Sequence, residues 1–571
     1  MRLRYLALAT DYDGTLAWNG QVSRETRESL KRLRESGRKP ILVTGRELGD
    51  LAQVFPDLDL FDRVIAENGA ILYRPGTRER KSLGEPPLPE LVEELRARGV
   101  PVAVGETIIA TVEPHETTVF QTIKDLGLEH QVIFNKGGVM ILPPTVNKGT
   151  GLAVALDELG LSRHNTVGIG DAENDHAFLA TCECAVAVAD ALPVLKQRAD
   201  YVTEAGEGAG VLEIIDKLVG NDLKELEPMI TRQDIPLGTT EDGTEVRIKP
   251  YGPSLLVAGP SGSGKSTTTM GILERLGERG YQFCLIDPEG DYGGLQGAIT
   301  LGTIEHAPTP DEVLQVLQRP SECVVVNLTG LALQDRPAFF ASLLPRLQEL
   351  RAHLGRPHWI IVDEAHHLLP AVRDAAPQLV PQELYSLMMI TIEPQHIAPA
   401  ALEPVDLVIA VGQQPSETIG SFAEATGLTP PEIPQEEVPP GEVWVWPARS
   451  GRAALRVRAI EPRTEHLRHR RKYAEGDLGE ERSFYFRGPE DKLNLRAQNL
   501  MLFMQLAEGL DDETWMHHLR RGDYSEWFRN NIKDAELADE AAKIEQDADV
   551  SPAESRKRIA AAIQDRYTAP A

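Results

Sequence analysis

The chain has 571 residues, a formal net charge of −28 and an isoelectric point near 5.0, and at roughly 150 residues per domain its length predicts three or four domains. Its 42% hydrophobic and 26% charged residues are typical of a globular protein, and its acidity disfavours a broad, non-specific surface for nucleic acid or acidic membranes. Four cysteines indicate a reducing compartment, and the sequence contains no run of about 18 apolar residues, so we expect a cytoplasmic protein without membrane contact.

Residues 1–220 alternate short apolar strands with amphipathic helical stretches. The first strand is YLALAT, a helix follows in SRETRESLKRLRESG, and the next strand is KPILVTG. This alternation predicts βαβ units and a mostly parallel sheet. Because ligands of such sheets bind at the carboxyl ends of the strands, polar residues that follow the strands are candidate site residues.

Several polar residues in this part of the chain carry the chemistry of phosphoryl transfer. Crowded carboxylates repel each other unless a cation lies between them, and Mg²⁺ prefers oxygen ligands. Phosphoryl transfer also needs a nucleophile and donors that hold the phosphoryl oxygens. The residues that follow strands or begin a helix are Asp11, Asp13, Thr44, Lys148, Asp171 and Asp175.

The motifs DYDGT, VTGR, NKG and GDAEND, in this order, resemble the haloacid dehalogenase (HAD) superfamily of phosphatases. The resemblance implies that Asp11 is the nucleophile that forms an aspartyl-phosphate, and that Asp13 protonates the leaving group and then activates water. It also implies that Thr44 and Lys148 hold the phosphoryl oxygens. The Mg²⁺ site that it implies consists of Asp11, Asp171 and the carbonyl of Asp13, supported by Asp175 and assisted by Asn174.

The sequence ENGA at 67–70 narrows the resemblance to the Cof-like class IIB phosphatases, which carry a cap between the second and third motifs. The predicted HAD core comprises residues 1–74 and 146–220, and the predicted α+β cap comprises residues 75–145. Caps of this class select the substrate and close over small molecules. The resemblance therefore implies a small phosphorylated substrate, such as a sugar phosphate.

A polar linker over residues 221–231 precedes a second α/β series, assigned to residues 232–460. Its sequence GPSGSGKST matches the P-loop pattern between a predicted strand and a predicted helix. Backbone N–H groups and the helix N-terminus would receive the phosphates of ATP, with Lys265 at the β- and γ-phosphates and Ser266 on Mg²⁺. The predicted ATP-binding residues of this loop are Gly259, Pro260, Ser261, Gly262, Ser263, Gly264, Lys265, Ser266 and Thr267.

Two later strand ends complete the predicted ATP site. In HWIIVDEAHHLL, Asp363 would hold Mg²⁺, and Glu364 directly after it would polarise the attacking water, which favours hydrolysis over kinase chemistry. Gln395 in TIEPQHI is a candidate sensor of the γ-phosphate. Because adjacent side chains are expected to diverge, His366 and His367 are not predicted to form a metal site.

The motifs LIDPEGDY, VDEAHHLLP and TIEPQHI resemble the HerA/FtsK division of P-loop ATPases, with HerA closest. Members are typically hexameric DNA translocases, so the resemblance implies a RecA-like fold, a homo-oligomer such as a hexamer, and DNA as a candidate partner. After residue 461 the chain becomes charged and helical, which predicts a small all-α region over 461–571. Its basic run PRTEHLRHRRKYAEG is interpreted as a solvated helix or as a contact for phosphates or an acidic neighbouring subunit.

Three functions remain open at this point. The favoured one is a Mg²⁺-dependent HAD phosphatase for a small metabolite, fused to an ATP-hydrolysing HerA-like domain that acts as scaffold or regulator. The second is a DNA translocase whose phosphatase acts on nucleic-acid ends or nucleotides. The third, a polynucleotide kinase–phosphatase, shares the domain order but is disfavoured by the cap and by Glu364.

Overall fold

The computed structural model describes residues 3–135, 137–371, 385–463, 473–474, 478–479, 482–532 and 534–567. Helices long and apolar enough to cross a membrane are absent from these ranges. The structure has an α/β phosphatase-like domain, a second α/β domain and a helical C-terminal region, as predicted.

The first domain contains an eight-stranded sheet and a separate four-stranded sheet. Its strands are β1 Ala7–Thr10, β2 Lys39–Val43, β3 Arg63–Ala66, β4 Ile71–Arg74, β5 Glu79–Ser82, β6 Ala103–Val104, β7 Ile109–Val112, β8 Gln131–Asn135, β9 Gly138–Leu142, β10 Thr166–Gly170, β11 Cys184–Ala187 and β12 Tyr201–Val202. Its helices are α1 Arg24–Glu35, α2 Leu48–Val54, α3 Pro89–Ala97, α4 Glu116–Asp125, α5 Lys148–Glu158, α6 His176–Thr181, α7 Pro193–Arg198 and α8 Glu207–Asn221.

The eight-stranded sheet has the order β12-β11-β10-β1-β2-β3-β4-β5 and is parallel from β12 to β3. All residues of β1, β10 and β11 are buried, as expected for parallel strands covered on both faces. Because β10, β1 and β2 are neighbours, Asp171, Asp11 and Thr44, which follow them, lie side by side at one sheet edge.

The second sheet, β6-β7-β9-β8, is antiparallel and forms the cap together with α3 and α4. Strand β5 instead pairs with β4 at the edge of the core sheet. The core sheet therefore extends to Ser82, whereas the predicted cap begins at residue 75. The sequence did not indicate this strand because the side chains of Glu79–Ser82 are all exposed and show no apolar alternation.

The second domain is built on an eleven-stranded sheet. Its strands are β13 Ile235–Thr239, β14 Glu245–Ile248, β15 Ser254–Ala258, β16 Phe283–Asp287, β17 Ala298–Leu301, β18 Cys323–Asn327, β19 Trp359–Val362, β20 Leu387–Thr391, β21 Val405–Val411, β22 Glu442–Pro447 and β23 Leu455–Ala459. Its helices are α9 Lys265–Glu278, α10 Pro310–Leu317, α11 Arg336–Leu354, α12 Ala365–Leu368, α13 Pro399–Leu402 and α14 Pro415–Thr426.

This sheet has the order β14-β13-β23-β22-β21-β15-β20-β19-β16-β18-β17. It is parallel from β21 to β17 and antiparallel in the remaining strands. Leu255 and Val257 of β15 pack in one hydrophobic core and Leu256 and Ala258 in another, so both faces of the sheet are covered. Strand β20 lies between β15, which leads into the P-loop, and β19, which leads to Asp363.

The C-terminal region consists of a short hairpin and a group of helices. These are β24 Phe484–Phe486, β25 Leu495–Ala497, α15 Leu500–Gly509, α16 Asp512–Arg521, α17 Asp523–Asn530, α18 Ala535–Glu545 and α19 Pro552–Tyr567. We call residues 482–532 and 534–567, together with Tyr473 and Ala474, the C-terminal module. Residues 464–472 of the predicted basic run lie outside the described residues.

An aromatic core holds the C-terminal module together. Trp515, Leu519, Tyr524 and Trp527 are all buried in it. Phe503 adds to the core, with its ring stacked on that of Trp527. The hairpin β24–β25 was not predicted, and its two strands are only three residues long.

The two α/β domains contact each other through a buried polar cluster. Glu183, 1% exposed, accepts hydrogen bonds from Arg4 Nη2 at 2.7 Å, His164 Nδ1 at 2.7 Å and the Tyr281 hydroxyl at 2.8 Å. The rings of His164 and Tyr281 stack with their centroids 3.7 Å apart. Burial raises the pKa of Glu183, but the hydrogen bond from His164 and the charge of Arg4 outweigh it and hold this pKa at about 2.

The cluster joins the amino-terminal ends of strands from both sheets. Arg4 and Glu183 precede β1 and β11, and Tyr281 precedes β16. The two domains therefore meet at the amino-terminal edges of their sheets, and the carboxyl edges lie at the other ends of these strands.

Candidate active sites

A buried lysine connects two carboxylates at the carboxyl edge of the first sheet. Lys148 Nζ lies 2.5 Å from Asp11 Oδ1 and 2.6 Å from Asp175 Oδ1. All three residues are at most 4% exposed. Burial raises the pKa of Asp11, as does the charge of Asp175, while Lys148 lowers it. Lys148 thus joins Asp11 and Asp175 in one buried cluster.

The start of helix α5 fixes the position of Lys148. The Asn147 side chain accepts a hydrogen bond from the Thr150 N–H, and Thr150 Oγ1 accepts one from the Asn147 N–H, both at 3.0 Å. Gly69 of ENGA passes so close that a Cβ atom there would lie 1.9 Å from the Asn147 carbonyl oxygen. A larger residue at this position would push the helix start away from the site.

Three carboxylates of this cluster can hold a divalent cation. Oxygens of Asp11, Asp171 and Asp175 all lie within 4.8 Å of one another. Asp175 Oδ2 accepts hydrogen bonds from the Asp171 and Ala172 N–H groups at 2.8 and 3.0 Å, and Thr15 Oγ1 donates to Asp171 Oδ1 at 2.9 Å. Three carboxylates with one ammonium leave excess negative charge, and the donors are hard oxygens. The residues present therefore fit Mg²⁺.

Asp13 lies outside this buried cluster and is oriented by an arginine. Its side chain is 41% exposed, and its two oxygens accept hydrogen bonds from Arg46 Nε at 2.6 Å and Arg46 Nη2 at 2.7 Å. Arg46 also pairs with Asp50 at 2.5 Å. Arg46 is a residue of this site that was not predicted from the sequence. Its place in VTGR, two residues after Thr44, is the signal that could have identified it.

The cap contributes to the wall of the candidate substrate pocket. Thr44 is buried and its Oγ1 accepts a hydrogen bond from the Arg46 N–H at 3.1 Å. A cavity of about 250 Å³ lies beside it, and Met140 of β9 closes one side. The residues that line the cavity are Asp11, Asp13, Gly45, Arg46, Met140, Ala172 and Asn174.

Glu67 connects the core to the cap. It is 3% exposed, and its carboxylate accepts hydrogen bonds from the backbone N–H groups of Glu106 at 3.4 Å and Thr107 at 3.1 Å. Glu67 and Asn68 have φ angles of 49° and 50°, which are uncommon for residues other than glycine. Asn68 in turn accepts a hydrogen bond from Asn174 Nδ2 at 2.9 Å, so this turn contacts both the cap and the fourth motif.

In the second domain, the predicted P-loop residues form the turn between β15 and α9. Lys265 is the first residue of the helix, and its Nζ donates to the carbonyls of Gly259 and Pro260, both at 2.9 Å. A Cβ atom at Gly259 would lie 2.0 Å from the Val411 carbonyl oxygen, so only glycine fits there. Ser261, Gly262 and Ser266 are exposed, at the mouth of the loop.

Asp363 and Glu364 follow β19, as predicted. Asp363 is buried, and its pKa is raised by burial and then by the charges of Glu364, Asp287 and Asp291. Glu364 has a φ angle of 43°, a backbone conformation that costs about 1–3 kcal/mol and is often found at functional sites. The structure therefore gathers carboxylates where the sequence predicted Mg²⁺ and the attacking water.

The remaining predicted residues of this site differ in their surroundings. Gln395 is exposed after β20, where its side chain contacts Glu393 and Ser421. The expectation that His366 and His367 diverge is wrong, because their ring centroids are 4.1 Å apart. Both rings turn towards Glu364, and one ligand atom from each of these three residues lies within 4.8 Å of the others.

Comparisons with known proteins find relatives of the first domain. A family model described as haloacid dehalogenase-like hydrolase matches residues 8–107 and 102–215. The phosphoglycolate phosphatase of Methanothermobacter thermautotrophicus is 31% identical over 224 residues, which cover 38% of this chain and 99% of that protein. The chain belongs to the haloacid dehalogenase-like hydrolases.

Other relatives of this HAD hydrolase cover a similar share of the chain. Phosphoglycolate phosphatase 2 of Saccharolobus solfataricus is 31% identical over 234 residues, covering 39% of this chain and 96% of that protein. A solved haloacid dehalogenase-like hydrolase from Bacteroides thetaiotaomicron is 20% identical, with a TM-score of 0.34, and covers 38% of this chain and 99% of that one. A second family model, described as the central domain of helicase HerA, matches residues 235–405. Both predicted resemblances, to HAD hydrolases and to HerA, are thereby confirmed.

Proposed function

We propose that this HAD hydrolase is a Mg²⁺-dependent phosphatase for a small phosphorylated metabolite, joined to a HerA-like domain that hydrolyses ATP. The observation that carries the first part is the buried contact of Lys148 with both Asp11 and Asp175, beside Asp171. This arrangement leaves a carboxylate nucleophile next to a fixed positive charge and to oxygen ligands for a cation.

The reaction proceeds through a covalent intermediate. The Asp11 carboxylate attacks phosphorus, the bond to the leaving oxygen breaks, and Asp13 gives its proton to that oxygen. Asp13 then takes a proton from water, which attacks the aspartyl-phosphate and releases inorganic phosphate. Lys148 and Thr44 hold the phosphoryl oxygens during both steps. Mg²⁺ would be held by Asp11, Asp171 and the Asp13 carbonyl, supported by Asp175, and would supply positive charge to the phosphoryl group.

The size of the pocket supports a small substrate. Its volume of about 250 Å³ is below the roughly 300–1,000 Å³ of pockets for drug-sized ligands. Met140 of the cap borders it, so a polymer would meet the cap before it reached Asp11. Because two relatives at 31% identity are named phosphoglycolate phosphatases, phosphoglycolate is the first substrate to test and a sugar phosphate the second.

In the second domain, the P-loop turn and Asp363 support binding of ATP with Mg²⁺. Lys265 would contact the β- and γ-phosphates, Ser266 and Asp363 would hold Mg²⁺, and Glu364 would polarise the attacking water. We further propose that Gln395 senses the γ-phosphate and that the protein assembles as a homo-oligomer, on the basis of the HerA match.

A DNA-translocating function is the second candidate, and the match to the HerA central domain favours it. The relative position of the two sites concerns the second part of this candidate function, in which the phosphatase acts on nucleic-acid ends. Asp11 and the P-loop lie at the carboxyl edges of different sheets, whereas the two domains meet at the amino-terminal edges, so the contact between the domains does not bring a nucleic-acid end from the ATPase to Asp11 of the same chain.

Phosphate release tests the proposal directly. The purified protein with Mg²⁺ should release phosphate from phosphoglycolate or a sugar phosphate, and Asp11→Asn should abolish this release. ATP hydrolysis is then measured in the Asp11→Asn variant, with and without double-stranded DNA, so that the phosphatase cannot contribute phosphate. Absence of any small-molecule phosphatase activity would contradict the first half, and absence of ATP hydrolysis the second.

A further inference from the structure

The loop after β16 is folded tightly around one carboxylate. Asp287 Oδ1 accepts hydrogen bonds from the N–H groups of Gly290 at 2.7 Å and Asp291 at 3.0 Å, and Asp287 Oδ2 accepts one from Tyr292 at 2.9 Å. We call residues 287–292 the acidic loop. It carries three carboxylates, of Asp287, Glu289 and Asp291.

The acidic loop lies beside the predicted catalytic residues of the ATPase. Strands β16 and β19 are parallel neighbours, with Ile286 opposite Val362, and the Asp363 N–H donates to the Ile286 carbonyl at 3.0 Å. The acidic loop therefore begins at the sheet edge where Asp363 and Glu364 follow β19, and it brings the carboxylates of Asp287, Glu289 and Asp291 to that edge.

The C-terminal module contributes a positively charged side chain, that of Arg482, to the acidic loop. Arg482 Nη2 lies 2.9 Å from Glu289 Oε1, and the Glu289 side chain is only 12% exposed. The backbone of Arg482 is itself fixed, because Trp527 Nε1 donates to its carbonyl at 2.8 Å and Trp527 is buried in the aromatic core.

We propose that Arg482 is a positioning residue for ATP hydrolysis: through Glu289 it holds the acidic loop beside Asp363 and Glu364, which makes the C-terminal module part of the ATPase site. This inference rests on the proposed ATPase function. Without Arg482, the largely buried Glu289 carboxylate would lose this ion pair, its repulsion from the other carboxylates of the acidic loop would be less compensated, and the loop would shift next to Asp363.

The predicted consequence is a change in turnover rather than in nucleotide binding. The P-loop, which would hold the phosphates, does not depend on the acidic loop. Glu364, which would polarise the attacking water, directly follows Asp363, and Asp363 is the residue that the acidic loop supports. Arg482→Gln should therefore lower kcat for ATP by about tenfold, as expected for a coupled ion pair, and leave KM within about twofold. Arg482→Lys should restore part of kcat.

The chain offers a matched control. Arg529 of the same module forms an exposed ion pair with Asp539 at 2.5 Å. Arg529→Gln should leave ATP hydrolysis unchanged. Phosphate release at Asp11 should be the same in all these variants, which shows that the HAD domain is unaffected, and chemical denaturation compares the stability of the variants. The charge exchange Glu289→Arg with Arg482→Glu should recover kcat relative to Arg482→Glu alone.

The outcomes separate this inference from the function on which it rests. A wild-type protein that hydrolyses no ATP would overturn both. An active wild type with an Arg482→Gln variant equal to Arg529→Gln would overturn the role of Arg482 alone. A loss in Arg482→Gln that neither lysine nor the charge exchange restores would also overturn it, because the residue would then act only in packing.

Discussion

The two candidate active sites of this protein, each at the carboxyl edge of a sheet, differ in where the positive charge near their carboxylates comes from. At the HAD edge, Lys148 is buried between Asp11 and Asp175, and all three come from the domain that contains the site. At the ATPase edge, the carboxylates of the acidic loop lie near those of Asp363 and Glu364, and the C-terminal module contributes a positively charged side chain, that of Arg482. The first site is self-contained, whereas the second depends on a segment distant in sequence.

The largest expected effect is that of Asp11→Asn on the phosphatase. The amide is nearly isosteric but is not a nucleophile, so phosphate release from phosphoglycolate should fall by at least about 10³-fold. ATP hydrolysis should remain unchanged, because Asp11 and the P-loop lie at the carboxyl edges of two different sheets. Steady-state phosphate release with each substrate measures both, and a parallel loss of ATP hydrolysis would show that the first site is not self-contained.

Lys265→Ala is the reciprocal change and should have the next largest effect. It removes the ammonium group proposed to contact the β- and γ-phosphates, so ATP hydrolysis should fall by about 10²-fold or more. Phosphatase turnover at Asp11 should be unaffected. The assay is ATP hydrolysis in the Asp11→Asn background, and retention of activity would remove the P-loop from the catalytic role proposed for it.

Arg46→Ala should lower phosphatase kcat by about 10- to 100-fold, because Arg46 orients the carboxylate that we assign to general acid–base catalysis. Arg98 of the cap is a matched control, since it also pairs with two carboxylates, Glu94 and Asp125. Arg98→Ala should leave kcat unchanged. Equal losses in the two variants would mean that Arg46 acts through general stability.

The smallest effect concerns the contact between the two sheets. Tyr281→Phe removes the hydroxyl that donates to buried Glu183, at a cost of about 1.5–3 kcal/mol in the free energy of unfolding. Tyr201→Phe is its control, since Tyr201 also donates to a glutamate, Glu213, at a less buried position. Chemical denaturation should show a clear loss only for Tyr281→Phe. Equal losses would argue against a special role of the buried cluster.

The sequence predicted those features that depend on neighbouring residues along the chain. Asp11, Thr44 and Asp171 directly follow apolar strands, so their common edge could be inferred from the alternation of elements. The hairpin strand β5 was missed because its exposed residues carry no apolar pattern. The pairs Tyr281–Glu183 and Arg482–Glu289 join residues 98 and 193 positions apart, and such contacts depend on domain packing that local patterns do not encode.

One measurement tests the central claim most directly. The Lys265→Ala variant, in which the ATPase cannot contribute phosphate, is given phosphoglycolate, a sugar phosphate and a 5′-phosphorylated DNA duplex in parallel, each with and without Mg²⁺. We expect Mg²⁺-dependent phosphate release from at least one of the small substrates and none from the duplex, because the cap and the small cavity exclude a polymer. Release from the duplex without release from either small substrate would contradict the account and favour a phosphatase that processes nucleic-acid ends.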